Sequence, residues 1–275
     1  RMVENVERIG GEAIVIEDEW GTPVSLDKLE DALKSNPDTE VVAFVHAETS
    51  TGVRSDAKEI AEIAKKYGCL VIADTVTSLV GIPVLTDEWG LDAVYSGSQK
   101  CLSSVAGLSP LTFSDKAIKK IQSRDTRIQS WFLDQTLVLD YWSGSGKRSY
   151  HHTAPINSIF ALHESLRLAC DETLENLWKR HFQAHSRLKK GLDKLSFDFV
   201  VEKEYRLPQM NSIHIPSGYD DIEVRTKLLN DFNLEIGAGL GKFAGKIWRI
   251  GLMGYNARNE SVDYCLESLK SVLNK

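Results

Sequence analysis

Asp74 and Lys100 are the residues of this chain whose types and spacing could do chemistry. The apolar run Cys69-Leu70-Val71-Ile72-Ala73 ends on Asp74, and a second run, Leu91 to Tyr95, ends in Ser96-Gly97-Ser98-Gln99 and then Lys100. Runs of this length bounded by turn residues read as buried strands, and in an open α/β sheet the ligand crevice lies beyond the carboxyl ends of such strands. Both side chains are therefore expected at one crevice. Alone, a lysine there reads equally well as a phosphate anchor, and an aspartate as a helix cap or a solvated turn. Together they point to pyridoxal 5'-phosphate, which needs a lysine for its Schiff base and an acid partner for its pyridine nitrogen.

A lysine amine at its ordinary pKa near ~10.4 is mostly protonated and a poor nucleophile. Burial among the small neutral groups of Ser96, Ser98 and Gln99 is expected to favour the neutral amine. Arg249 lies in the apolar string Trp248-Arg249-Ile250-Gly251 and needs a partner there; its planar fork suits a carboxylate. Arg206 and Arg225 read as surface charge. Thr49 follows His46-Ala47-Glu48 at another strand end and reads on its own as a turn hydroxyl. Tyr150 and Thr153 read as loop residues, and between them His151 and His152 raise the question of a metal. Adjacent side chains point in different directions and no carboxylate or cysteine set completes a site, so no metal is expected.

Other signals fail. Gly146-Lys147 and Gly245-Lys246 have neither the upstream glycine nor the following Ser or Thr of a phosphate-binding P-loop, and both read as loops. The four cysteines, Cys69, Cys101, Cys170 and Cys265, have no CxxC spacing and read as reduced thiols of a cytoplasmic protein.

The elements that must position these residues follow from the pattern. A helix over 2–9 closes on Gly10-Gly11, and Glu12 to Glu17 reads as a strand. Ser25 caps a helix through Leu33, Val41 to His46 is a buried strand, and a helix runs from Asp56 to Tyr67. Alternating strands and helices imply right-handed crossovers and an α/β fold with a doubly wound, mostly parallel sheet. A further strand covers Leu108 to Phe113, and Ser114-Asp115 opens a helix to Gln122. Trp131 to Trp142 carries an apolar face suited to a subunit contact, and Ser143 to Lys147 reads as a loop. A long helical stretch from Ile156 to Leu195 has a joint at Asp171-Glu172-Thr173. Beyond it come strands near Phe199 to Val201, Ser212 to Ile215, Leu234 to Gly237 and Lys246 to Leu252, with helices from Asp220 to Phe232 and from Asn259. The division is thus a large domain over 1–172 and a smaller C-terminal α+β domain over 173–275. With 275 residues, 42% of them hydrophobic and 26% charged, the chain can bury the core of two such domains. A net charge of -6 argues against a nucleic-acid surface, and no uncharged stretch is long enough to span a membrane.

The strings DTVTSL at 74–79, YSGSQKCLSS at 95–104 and YHHTAP at 150–155 resemble the alanine:glyoxylate (serine:pyruvate) aminotransferases, class V of the fold type I pyridoxal phosphate enzymes. HAETSTG at 46–52 and WRIGLMG at 248–254 extend the resemblance almost from end to end. It implies that Lys100 carries the cofactor and shuttles the substrate proton, while Asp74 keeps the pyridine nitrogen protonated and Val76 lies against the ring. Thr49 then bonds near the ring hydroxyl, Gln99 reaches the phosphate, and Arg249 holds the α-carboxylate of amino acid and 2-oxo acid. Tyr150 and Thr153 contact the phosphate of the neighbouring subunit, which implies a homodimer with shared sites. Cys101 beside Lys100 invites comparison with the desulfurases, but those relatives carry a histidine where this chain has Gln99. The expected activity is amino transfer from alanine or serine to glyoxylate or another small 2-oxo acid. A serine:glyoxylate preference or a lyase activity is the nearest alternative, and the ending Leu273-Asn274-Lys275 carries no peroxisomal signal. In the resembling family a segment with a phosphate loop and a ring-stacking aromatic precedes the point where this chain starts. That leaves a second expectation, a catalytically silent fragment acting only in dimerisation or packing.

Overall fold

The computed structural model describes residues 1–142 and 149–274. The loop expected over 143–147, with its Gly146-Lys147 string, and the final Lys275 lie outside the described residues. Besides three short 3-10 helices, the described residues form ten α-helices and nine strands. In chain order they are α1 (Met2–Arg8), α2 (Leu26–Ser35), β1 (Val41–Val45), β2 (Ala47–Glu48), β3 (Val53–Arg54), α3 (Ala57–Lys66), β4 (Leu70–Asp74), α4 (Thr86–Trp89), β5 (Ala93–Tyr95) and β6 (Leu111–Phe113). There follow α5 (Asp115–Gln122), α6 (Gln135–Trp142), α7 (Ile156–Glu172), α8 (Leu174–Lys194), β7 (Met210–His214), α9 (Asp221–Phe232), β8 (Gly237–Ala238), β9 (Ile247–Gly251) and α10 (Asn259–Val272).

Helix starts follow cap chemistry. Ser25, Asp56, Ser114 and Asp220 each accept an amide from the third residue ahead, so one orphan N–H of each helix is satisfied by its cap. The first sheet has the order β1-β4-β5-β6, with β1, β4 and β5 parallel and β6 antiparallel on the edge. Its register sets Val45 beside Asp74 and Asp74 beside Tyr95, so the carboxyl ends of the three parallel strands share one rim. Leu29, Leu33, Ile60, Ala61 and Ala64 of α2 and α3 pack on Val71, Ala73 and Val94 to form one core. A second core, with Leu188, Leu192, Ile213, Leu228, Trp248 and Leu269 at its centre, lies between α8, α9, α10 and the antiparallel sheet β7-β9-β8. The fold is α/β, as expected.

Some expectations need correction. Glu12 to Glu17 is no strand: Ile14 and Val15 are exposed, and no strand pairs with them. A short apolar run becomes a strand only when a neighbour takes its backbone hydrogen bonds. Near Phe199 to Val201 only a single bridge, Phe199 to Ile213, forms, and the strand expected at Leu234 to Gly237 shrinks to the two residues of β8. The joint in the long helix is present: Thr173 stands between α7 and α8 with φ 71°. Gly245-Lys246 lies in a turn. Among the described residues no helix is long and apolar enough to cross a membrane.

Candidate active site

Asp74 is the last residue of the central strand β4 and is held on both carboxylate oxygens. Oδ1 accepts the Val76 amide at 2.9 Å, and Oδ2 accepts the Tyr95 hydroxyl at 2.7 Å. Burial, and after it the hydrogen bond to Asp74, pushes the Tyr95 phenol well above its ordinary range, so at neutral pH it stays a donor. The two strand ends are also tied directly. The Thr75 hydroxyl donates to the Tyr95 carbonyl at 2.9 Å, and the Ser96 hydroxyl donates to the Thr75 carbonyl at 3.0 Å. A carboxylate has about four lone-pair positions, so Asp74 keeps acceptor capacity for a ligand.

Lys100 sits in the turn that follows β5. Ser98 is fully buried and its hydroxyl donates to the Val105 carbonyl at 2.6 Å, while the Ser103 amide closes the turn on the Lys100 carbonyl at 2.9 Å. Ser96 and Ser98 are the small, neutral, buried neighbours expected; Gln99 is instead exposed. Lys100 is half-buried, and its amine has no hydrogen bond or ion pair with any described residue, which leaves it available to a ligand. Gly97 explains how Val76 and Gln99 come together. A Cβ there would stand 2.9 Å from Gln99 Oε1 and 3.4 Å from Val76 Cγ1, so the bare backbone leaves a cradle that a side chain would fill. Asp74, Val76, Gln99 and Lys100 thus share one rim.

Arg249, on β9, reaches that rim from the other sheet. Its Nε donates to the Ala238 carbonyl at 2.7 Å and its Nη1 to the Thr49 carbonyl at 2.9 Å. The partner that the sequence demands is therefore backbone, from two segments. Both Nη2 hydrogens and one on Nη1 remain for a ligand. Burial lowers the pKa of this guanidinium, opposed by Glu48, and it remains a cation at any working pH. Thr49 joins the rim through the same strand end: three residues before it, the His46 amide donates to the Asp74 carbonyl at 3.0 Å.

Tyr150 and Thr153 stand apart. Their hydroxyls bond each other at 2.5 Å, Tyr150 is 71% exposed, and neither bonds the residues above. Both His151 ring nitrogens are engaged, with His152 and with the Trp131 carbonyl, and its ring stacks on Trp131 at 4.0 Å. Among the described residues no group of three or more His, Cys, Asp or Glu could hold a metal. Arg225 pairs with Asp221, and Arg206 lies over Phe199; both are half-buried, not surface charge, and neither reaches the site. The Cys101 thiol is buried, which pushes its pKa up to about 12 and removes it as a nucleophile at neutral pH.

The model of the aminotransferase class-V family matches residues 5–263. This chain belongs to the class-V aminotransferases. It is 38% identical over 275 residues to the alanine--glyoxylate aminotransferase of Rattus norvegicus, covering 99% of this chain and 66% of that protein. The chain thus spans just under two thirds of the length of that relative. Among solved structures, the alanine--glyoxylate aminotransferase of Nostoc sp. superposes with a TM-score of 0.95 at 46% identity, covering 99% of this chain and 71% of the other. The ureidoglycine-glyoxylate aminotransferase of Bacillus subtilis also reaches 0.95, at 36% identity, covering 99% of this chain and 70% of its own. Sequence reasoning about this class-V chain missed Tyr95, although its place at the end of β5, in register with Asp74, was signal enough. It also missed Gln209, whose side chain joins the turn before β7 to the Thr77 carbonyl in the turn after β4; no local pattern announces it.

Proposed function

We propose that this chain carries the cofactor and substrate site of a pyridoxal-phosphate-dependent aminotransferase that moves the amine of alanine or serine to glyoxylate or another small 2-oxo acid. The observation that carries this reading is the meeting, at one rim, of a doubly held carboxylate, an unpaired lysine and an arginine with three N–H groups to spare. These residues fit the cofactor: Asp74 suits a protonated ring nitrogen, the open backbone at Gly97 gives room between Val76 and Gln99, and Lys100 has no competing partner among the described residues.

When bound, the cofactor supplies the electron sink that removal of the substrate α-proton requires. The residues do the rest. Lys100 would hold the cofactor and carry the proton from the α-carbon of the donor to C4′ of the cofactor, and in the second half-reaction carry a proton back to the α-carbon of the amino acid formed. Asp74, fixed by Val76 and Tyr95, keeps the proton on the ring nitrogen, and Val76 packs on the ring face. Thr49 bonds near the ring hydroxyl and Gln99 near the phosphate. Arg249 binds the carboxylate of each substrate, and its anchorage on Ala238 and Thr49 fixes where that carboxylate stands.

The exposed Tyr150–Thr153 pair is assigned to the phosphate of a neighbouring subunit in a homodimer, a reading supported by its separation from the rim of its own chain. The division into 1–172 and 173–275 is supported by the two hydrophobic cores and the break at Thr173. Four free thiols, three of them buried, support a reducing compartment such as the cytoplasm. A silent packing fragment has no such support.

The test is to incubate the purified protein with pyridoxal phosphate, reduce with borohydride, map the modified peptide, and assay alanine and serine with glyoxylate. The expected result is a single adduct on Lys100, lost in Lys100→Ala, with amino transfer. An adduct on another lysine, or none, overturns the reading.

A further inference from the structure

Thr77, one residue beyond Val76, offers a carbonyl that two side chains share. Gln209 Nε2 donates to it at 2.9 Å, and the Cys101 thiol approaches it at 3.5 Å. Cys101 is the neighbour of Lys100, so this one oxygen links the loop after Asp74 to the turn of Lys100. The third link is long-range: Gln209 is 132 residues away in sequence and fully buried. Its own backbone stands immediately before β7, where its carbonyl accepts the amide of Leu252, just past the end of β9 and three residues after Arg249, at 2.9 Å. Gly81 makes the meeting possible, since a Cβ there would stand 2.8 Å from the Cys101 sulfur and 3.2 Å from the Gln209 amide.

We propose that Gln209 is a positioning residue that sets Arg249 relative to Lys100 and Val76, by joining the Arg249 strand to the Thr77 carbonyl. The inference rests on the aminotransferase reading above. Three hydrogen bonds connect β9 and the segments flanking β7 and β9 to three loops of the first sheet's rim: Arg249 to Thr49, Gln209 to Thr77, and the Tyr255 amide to the Ser103 hydroxyl at 2.8 Å. Of the three side chains, Gln209 alone is fully buried, and the carbonyl it bonds, in the loop after Asp74, is the one that Cys101 beside Lys100 also approaches. Two carbonyl-directed donors on one oxygen fix that oxygen in two directions, and a displacement of about an ångström at a reacting centre costs up to about a hundredfold in rate.

Gln209→Met keeps the length and removes the donor, while Gln209→Glu restores it only when the carboxyl is protonated. The expected results for Gln209→Met are a Lys100 adduct as in wild type, a kcat lower by about tenfold or more, and a raised KM for the amino donor. The pH at which the visible band of the Lys100-bound cofactor converts should also shift. In Gln209→Glu the defect should lessen as pH falls, because the buried carboxyl gains the proton it donates. A merely structural glutamine would lower the unfolding temperature of Gln209→Met and leave kcat, KM and the band titration at wild-type values, and that outcome overturns the proposal. If Gln209→Met fails to fold, Gln209→Glu decides alone: a pH profile parallel to wild type sinks the idea. A wild-type protein without the Lys100 adduct overturns the aminotransferase reading itself, and the role of Gln209 falls with it.

Discussion

At the scale of single residues, Asp74 acts through what holds it. A carboxylate free to rotate would face water; one that accepts the Val76 amide and the Tyr95 hydroxyl keeps a fixed outward edge. Hydrogen bonds to a charged group contribute about 1.5–3 kcal/mol. Tyr95→Phe should therefore lower stability by about 1–2 kcal/mol in urea melts at neutral pH, with the lower figure set by the half-exposed position. It should also weaken pyridoxal phosphate binding roughly tenfold, a change readable by equilibrium dialysis, since each tenfold is about 1.4 kcal/mol. Binding unchanged from wild type would mean that the Val76 amide alone orients Asp74. Asp74 and Lys100 were legible in the sequence because both stand where an apolar run stops. Tyr95 was less so, since an aromatic ending a strand reads first as core. Gln209 was not legible, because its partner is the Thr77 carbonyl in the turn after β4, 132 residues away, and nothing in PQMNS distinguishes it.

At the scale of elements, caps and periodicity carried the parallel sheet, where the strands are bounded by turn residues and α2, α3 and α5 open on Ser25, Asp56 and Ser114. They failed over 12–17, where a short apolar run has no strand to join, and over 199–201, where the run makes only the single bridge from Phe199 to Ile213. The joint of α7 and α8 was legible as a break, and its geometry makes a prediction. Thr173 has φ 71° and ψ 150°, a region that costs a side chain on the order of 1–3 kcal/mol and that glycine adopts freely. Its side chain is exposed and makes no hydrogen bond, so little packing is lost on removing it. Glycine's greater freedom in the unfolded chain subtracts about 0.5–1 kcal/mol. Thr173→Gly should then stabilise the protein by about 1 kcal/mol, a rise of a few degrees in unfolding temperature. A fall would show that the threonine holds the angle between the helices by means other than its backbone.

At the scale of the whole molecule, three buried histidines make folding sensitive to mild acid. His46, at the end of β1, packs edge-on against Trp89 at 5.5 Å; burial, and secondarily Arg54, drives its pKa down to about 4. Burial lowers His181 and His185 as well. In α8, His181 accepts the Gly254 amide at 3.0 Å on Nε2 and places Nδ1 on the Leu177 carbonyl, an arrangement that requires a neutral ring; Nδ1 of His185 meets Asn211 at 2.6 Å. Each folded-state pKa lies below the unfolded value near 6.5, so below that pH the unfolded chain binds more protons than the native one. Their stabilising contribution is therefore complete above about pH 6.5 and is lost as pH falls toward the folded pKa values. For His46 alone the loss between pH 6.5 and 5 is about 2 kcal/mol. That window separates histidines from carboxylates such as Asp263, whose pKa is lowered and whose contribution fades only in stronger acid. Urea midpoints should drop steadily from pH 7 to 5 in the wild type, and His46→Gln, which cannot titrate, should show a visibly shallower slope. Equal slopes would place the acid sensitivity on the α8 pair, of which His181 holds Gly254, five residues beyond Arg249, so that carboxylate binding would weaken in the same pH range.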